Sequence, residues 1–237
     1  MSTADYHDSA GGDLKAAAGE LFRPDPAELA AHGRGERPGV LGPSRWTDVY
    51  KPTIAAVNGV AYAGGLECAC WTDLAIADRH ATFGVTCRRW NIGLADGGTQ
   101  RLTRILGYRR AIELIITGRV IDADEALHIG LVNEVVPSGG CLKRAVDLAE
   151  TIAALPQGAI RTHKKAAVRG YGRPLDEGLP IEAECFQRKL GSADQLEGLR
   201  RFNERDHPDR RPDKQRVTSG LARVGPRSPN PYDRELS

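Results

Sequence analysis

The sequence predicts an α/β fold: a core of short, mostly parallel strands joined through glycine loops and helices, then a helical C-terminal third. Three observations carry this. Pro52-Thr-Ile-Ala-Ala-Val-Asn-Gly is a short apolar run closed by a turn pair, the pattern of a buried strand. A glycine pair, Gly64-Gly65, then opens a helix to about Trp71, and Leu74-Ala-Ile-Ala reads as a second buried strand. Strand, glycine loop, helix and strand in that order favour parallel pairing. Beyond residue 140, the segments Cys141–Leu155, Ala159–Val168, Leu175–Leu190 and Ala193–Glu204 show helical amphipathic spacing.

The remaining elements follow in order. Residues 1–8 are a polar leader, and residues 23–45 a variable, proline-rich loop with one short helix at Pro26–His32. Ala81–Gly84 is a third extended piece. Thr99–Leu106 ends at Gly107 and Tyr108–Ile116 at Gly118, both suited to a helix C-terminus. Asp122-Ala-Asp-Glu has capping-box spacing, which starts a helix over Ala123–Ile129. Leu131–Pro137 is a further strand, and Ser192 fits the cap of the last helix. Residues 207–237 hold five prolines and few large apolar groups, and read as a disordered tail.

Composition narrows the function. The 237 residues are 41% hydrophobic, enough to bury a core. A net charge of +2 lacks the concentrated basic face of a nucleic-acid binder. From Asn203 onward eight Lys/Arg face six Asp/Glu, so the tail is solvated rather than nucleic-acid-directed. No apolar run reaches the ~18 residues of a membrane span. Five cysteines are an odd number in a long chain, which points to a reducing, cytoplasmic setting. Cys68 and Cys70 form a lone C-x-C without a second ligand pair, so no metal is expected.

The chemistry concentrates in two blocks. In Asn58-Gly-Val-Ala-Tyr-Ala-Gly-Gly-Leu-Glu, free N–H groups at a helix start suit a developing oxyanion. Glu67 follows one turn later on an apolar helix; buried there, its pKa would rise toward that of a general acid/base. A packing loop with a solvated Glu67 is the equal alternative on these residues alone. The glycines match neither nucleotide-loop pattern. The second block, Phe83 to Leu102, places Asp96 before Gly97-Gly98-Thr99, where an N-cap is the simplest role. Arg88 and Arg89 read as surface charges, and Trp46 and Trp90 as core or surface packing residues.

Together these blocks, with Ser9-Ala-Gly-Gly-Asp-Leu-Lys and Leu114–Val136, resemble the crotonase (enoyl-CoA hydratase/isomerase) superfamily over about Ser9 to Asp206. The resemblance implies a ClpP/crotonase spiral of β-β-α units over residues 9–140. It also implies a helical trimerisation region over 141–206, giving a homotrimer or dimer of trimers. It implies acyl-CoA thioester substrates, with coenzyme A as part of the substrate and no separate cofactor, metal, nucleic-acid or membrane partner. Backbone N–H groups of Gly12 and Gly64 would hold the thioester oxygen, and Ala10, Gly65, Cys87 and Gly97 would line the substrate. Glu67 matches one of the two hydratase glutamates, while the other falls on Cys87. Asp96 then becomes the candidate second carboxylate.

The expected activity is hydration of a 2-trans-enoyl-CoA. The alternatives are a single-carboxylate isomerase and a non-catalytic remnant or binding subunit. Family members carry a longer segment before Ser9, so this chain is expected to be an N-terminally shortened member. It would be truncated, degenerate, or covered at its sheet edge by a partner.

Overall fold

A computed structural model describes residues 25–36, 39 and 41–204. The polar leader, the Ser9 segment with Ala10 and Gly12, and the tail at 207–237 lie outside the described residues. Up to Gln195 the chain forms one compact unit, and a second unit begins at Leu196.

Helix α1 (Pro26–Gly33) opens the described chain with proline at its first position, where the missing N–H costs nothing. Strands β1 (Ile54–Val57) and β2 (Val60–Tyr62) then flank the Asn58–Gly59 turn. Helix α2 (Gly64–Trp71) leads to β3 (Leu74–Asp78) and β4 (Thr82–Gly84). A 3₁₀ turn over Thr86–Trp90 precedes α3 (Gly98–Leu106) and α4 (Tyr108–Thr117). Next come β5 (Val120–Asp122), α5 (Ala123–His128) and β6 (Glu134–Val136). The last helices are α6 (Cys141–Ala153), α7 (Gln157–Gly170), α8 (Leu175–Gln187) and α9 (Ala193–Glu204).

Among the described residues the strands form two three-stranded sheets. One has the order β1-β3-β6, all parallel, with Ile54 opposite Leu74 and Ile76 opposite Glu134. The other has the order β2-β4-β5; β2 and β4 are parallel, and β5 runs antiparallel with Ile121 opposite Phe83. Each β-β step therefore divides its strands between two sheets. Sequence periodicity did not show that Val60–Tyr62 is a strand, because three residues carry no pattern and their partners lie twenty-two positions away. The same limit hid the 3₁₀ turn at Thr86–Trp90 and the antiparallel strand β5.

Leu66, Phe83, Leu102, Leu114 and Ile121 fill the main core, and α2 packs between β2 and α3. Ile76, Val136, Cys141 and Ala145 form a second cluster beneath α6. Trp46 and Trp90, expected to pack in the core or on the surface, are exposed at 52% and 69% and stand outside both clusters, which rules out the core role.

Polar anchors complete the frame. Asp122 caps α5 by accepting from Glu125 N–H, but the reciprocal half of the capping box is absent: the Glu125 carboxylate pairs with Arg119 instead. Asn133 extends the β3–β6 ladder, its N–H donating to Ala75 O and its side-chain oxygen accepting from Ala75 N–H, each at 2.8 Å. Lys164 on α7 donates to Asp73 (2.6 Å) and to Lys51 O, tying the helical region to the start of β1. Ser192 Oγ accepts from Gln195 N–H at the start of α9. In the second unit, the described part of α9 pairs Glu197 with Arg200 and Arg201. Among the described residues, no helix is long and apolar enough to cross a membrane.

The buried carboxylate of Asp78 accepts from Gly139, Gly140 and Cys141 N–H at 2.8–3.0 Å, capping α6 from a distant strand. Gly140 N–H also donates to Pro137 O, so Asp78→Ala leaves the Gly139 and Cys141 donors without an acceptor, and the expected loss of stability is roughly 3 kcal/mol. Urea unfolding of the two proteins measures it.

Candidate functional site

Helix α2 begins at an uncommon backbone position. Ala63 sits at φ 47° and ψ −115°, outside the regions that alanine ordinarily occupies, and its N–H donates to Gly84 O at the end of β4. That bond sets where the helix starts, so the conformation is fixed from the neighbouring strand. Gly64 and Gly65 supply the first-turn N–H groups, which have no acceptor within a helix. Gly65 is buried and Gly64 half-buried. The donors lie at the positive end of the helix, where negative charge is favoured.

Glu67 closes this first turn and is 3% exposed. Its Oε1 accepts from Asp96 N–H and from Gly98 N–H, each at 2.8 Å. Both of these short bonds go to Oε1, and the Ala95 backbone adds a weaker interaction with the carboxylate; neither short bond engages Oε2. Burial pushes the Glu67 pKa up; the Gly98 and Asp96 N–H bonds oppose the rise, and the nearby Asp96 charge adds to it. The carboxyl group is thereby fixed in direction while being made a better proton acceptor.

The loop Asp96–Gly97–Gly98 fits Glu67 closely. Gly97 has φ 98°, a left-handed conformation that favours glycine. A Cβ on Gly98 would stand 2.8 Å from Glu67 Cγ and 2.7 Å from Leu94 Cδ1, so only glycine lets this N–H approach the carboxylate. The expectation that Asp96 caps α3 is corrected here. The cap position is Gly97, without a side-chain bond, and the helix begins at Gly98. The Asp96 side chain turns away: its Oδ1 accepts from buried Ser44 Oγ at 2.6 Å and from Leu41 N–H at 3.4 Å. Arg45 adds a bond to Ala95 O, so the 41–45 segment is fastened to this loop.

The structure thus brings Gly64, Gly65, Glu67, Asp96 and Gly97 together. Ala10 and Gly12 lie outside the described residues. Cys87, in the 3₁₀ turn, is buried; burial first, and the Glu67 charge second, push its thiol pKa up. It is a neutral thiol at ordinary pH, and no substitute for a carboxylate. Cys70, behind Glu67 on α2, is pushed up to about 12 by burial. Arg88 and Arg89 are exposed, and Arg89 binds Gly118 O.

Sequence reasoning missed Ser44 and Arg101. Arg101 Nη1 donates to Asp96 O at 2.9 Å. Both residues have surface-typical identities, and the Ser44 contact spans 52 positions, so no local spacing marks it.

Parallel strands feeding a glycine-opened helix, with a buried carboxylate one turn in, match the β-β-α pattern of the family that the motifs resembled. Comparison with known proteins agrees. The family model described as enoyl-CoA hydratase/isomerase matches residues 5–211, and the chain belongs to this family. It is 43% identical over 157 residues to "Probable enoyl-CoA hydratase 2, mitochondrial" of Arabidopsis thaliana, covering 66% of this chain and 52% of that protein. It is 42% identical over 155 residues to the crotonyl-CoA hydratase of Syntrophomonas wolfei, covering 65% of this chain and 60% of that one. The chain therefore spans about half to three-fifths of these relatives. The crystal structure of enoyl-CoA hydratase from Bacillus anthracis superposes with a TM-score of 0.71 at 37% identity, over 82% of this chain and 73% of that chain.

A raised carboxyl pKa has a consequence for stability. Between the ordinary value of 4.5 and the higher folded value, the native state binds more protons than the unfolded chain, so this group's contribution falls as pH rises. Glu67→Gln removes that penalty and keeps an oxygen for the two N–H donors. Its melting temperature relative to wild type is expected to improve from pH 4 to pH 8, as measured by thermal melts across that range.

Proposed function

We propose that the protein is an acyl-CoA thioester enzyme that adds water to a 2-trans-enoyl-CoA. The observation that carries this reading is the single-sided clamp on Glu67. One carboxylate oxygen is held by two backbone donors, and the other is left for substrate, one helical turn from the Gly64 N–H. A thioester oxygen accepting from Gly64 N–H would place its enoyl carbons along the first turn of α2. Water bound to Glu67 loses a proton to the carboxylate as its oxygen bonds to C3. The C2–C3 π electrons move toward C2 and the thioester oxygen, where the helix-start donors stabilise the enolate. C2 then takes a proton from Glu67, which returns to its carboxylate form. The balance is one water added across one double bond, with no cofactor beyond the coenzyme A of the substrate. Gly12 would supply the second oxyanion donor, and Gly65, Cys87, Gly97 and Ala10 the walls around the acyl group.

The Asp96 carboxylate is bonded to Ser44 and Leu41, so the proton for C2 comes through Glu67. The same observation supports the second reading, an isomerase that moves one proton between carbons with one carboxylate. The exposed apolar side chains of Leu175, Leu179 and Phe186 on α8 support assembly into a homotrimer or dimer of trimers. Light scattering on the eluted protein tests it against a monomer. All five cysteines are free, which supports a cytoplasmic setting.

The test follows the loss of enoyl absorbance from crotonyl-CoA. Wild type is expected to turn over, and Glu67→Gln to lose ~10²–10⁴-fold in kcat. Turnover of a 3-enoyl-CoA but not of crotonyl-CoA would establish the isomerase. Binding of the thioester without either reaction would establish a binding subunit. Full activity in Glu67→Gln would remove Glu67 from the mechanism.

A further inference from the structure

Glu67 is oriented by two N–H groups that belong to one loop, so whatever holds that loop sets the carboxylate. From the other side, α3 returns a cation to it. Arg101 Nη1 donates to Asp96 O at 2.9 Å, while Arg101 N–H donates to Gly97 O at 2.9 Å. The guanidinium covers Gly97 so closely that a Cβ there would collide with Nη1. Arg101 thus grips the peptide units on both sides of the residue whose left-handed φ turns the loop. Its side chain is half-buried, and its charged or titratable neighbours are few: Glu67, Cys68 and Cys70 on α2, and Asp96 on the loop. Among the described residues no carboxylate pairs with it, so its charge serves the loop and the carboxylate field rather than an ion pair.

We infer that Arg101 is a positioning residue for Glu67: it fixes the Asp96–Gly97–Gly98 turn whose N–H groups aim the carboxylate, and it contributes positive charge beside it. Two effects follow from its removal. The two donors lose their fixed direction, so Glu67 is mis-aimed, and a displacement of that kind costs rate rather than substrate binding. The carboxylate also loses a nearby cation, which moves its titration to higher pH. Lys at this position keeps the charge but not the planar fork, so it restores the second effect better than the first. The kinetic part of this inference rests on the hydratase reading, while the titration part does not.

The experiment compares wild type, Arg101→Met, Arg101→Lys and the same-helix control Arg104→Met. Two readouts are taken: kcat and KM with crotonyl-CoA across pH, and the Glu67 carboxyl titration by ¹³C NMR, which needs no turnover. Arg101→Met is expected to lose about tenfold or more in kcat with KM within about threefold. Its Glu67 titration and the acid limb of its rate profile are expected to move to higher pH. Arg101→Lys should recover most of the titration but only part of kcat, and Arg104→Met should match wild type. An unmoved Glu67 titration in Arg101→Met overturns the inference, as does a wild-type kcat. If the Met variant does not fold, the Lys variant decides: lowered kcat at unchanged KM supports positioning, and wild-type kcat refutes it. Should wild type itself show no turnover, the hydratase reading fails, and the titration alone judges Arg101.

Discussion

A carboxylate buried to 3% exposure cannot be left unpaired, and here its closest partners are the backbone N–H groups of Asp96 and Gly98 rather than a cation. That choice constrains much of the surrounding structure. The donors come from Asp96 and Gly98, so the loop must pass within 2.8 Å of Glu67, and only glycine at 98 leaves room for it. The loop must then be held from outside, which Ser44, Leu41 and Arg101 do through Asp96. Backbone donors leave the carboxylate's charge only partly compensated. Burial still outweighs them, and the pKa rises rather than falls.

The two-sheet arrangement serves the same end. Because β2 and β4 leave the first sheet, the start of α2 is pinned by Ala63 N–H to the end of β4. The helix-start donors and Glu67 then share one rigid element, backed by Leu66 and Leu102 in the core. A site built on a short buried helix and a glycine turn is preorganised, so donors need not reorient as charge develops. The Asp96 carboxylate is spent on this frame, which is why the proposed chemistry rests on one acid/base group. Cys87 is buried, and burial and the Glu67 charge keep its thiol neutral.

Much of this was legible in the residues. The apolar run ending in Asn58-Gly59, the Gly64-Gly65 pair and the amphipathic repeats located β1, α2 and the four C-terminal helices within a few positions. Glu67 stood out because a carboxylate interrupts an apolar helix. Other features had no local signal. Strands β2 and β5 are three residues long and are defined by partners far away in sequence. Asp96 before two glycines has the composition of an N-cap, yet a left-handed Gly97 moved the helix start past it and sent the side chain to Ser44. Arg101 and Ser44 act through contacts that only the assembled core brings together.

The central claim is that Gly64 N–H and Glu67 face one thioester across the first turn of α2. The most direct measurement is a crystal structure of the protein with 3-hydroxybutyryl-CoA bound. The account predicts the thioester oxygen at about 2.7–3.1 Å from Gly64 N, the 3-hydroxyl beside Glu67 Oε2, and Oε1 still held by Asp96 and Gly98 N–H. A thioester bound away from α2, or a Glu67 carboxylate turned out of the clamp to another partner, would contradict it.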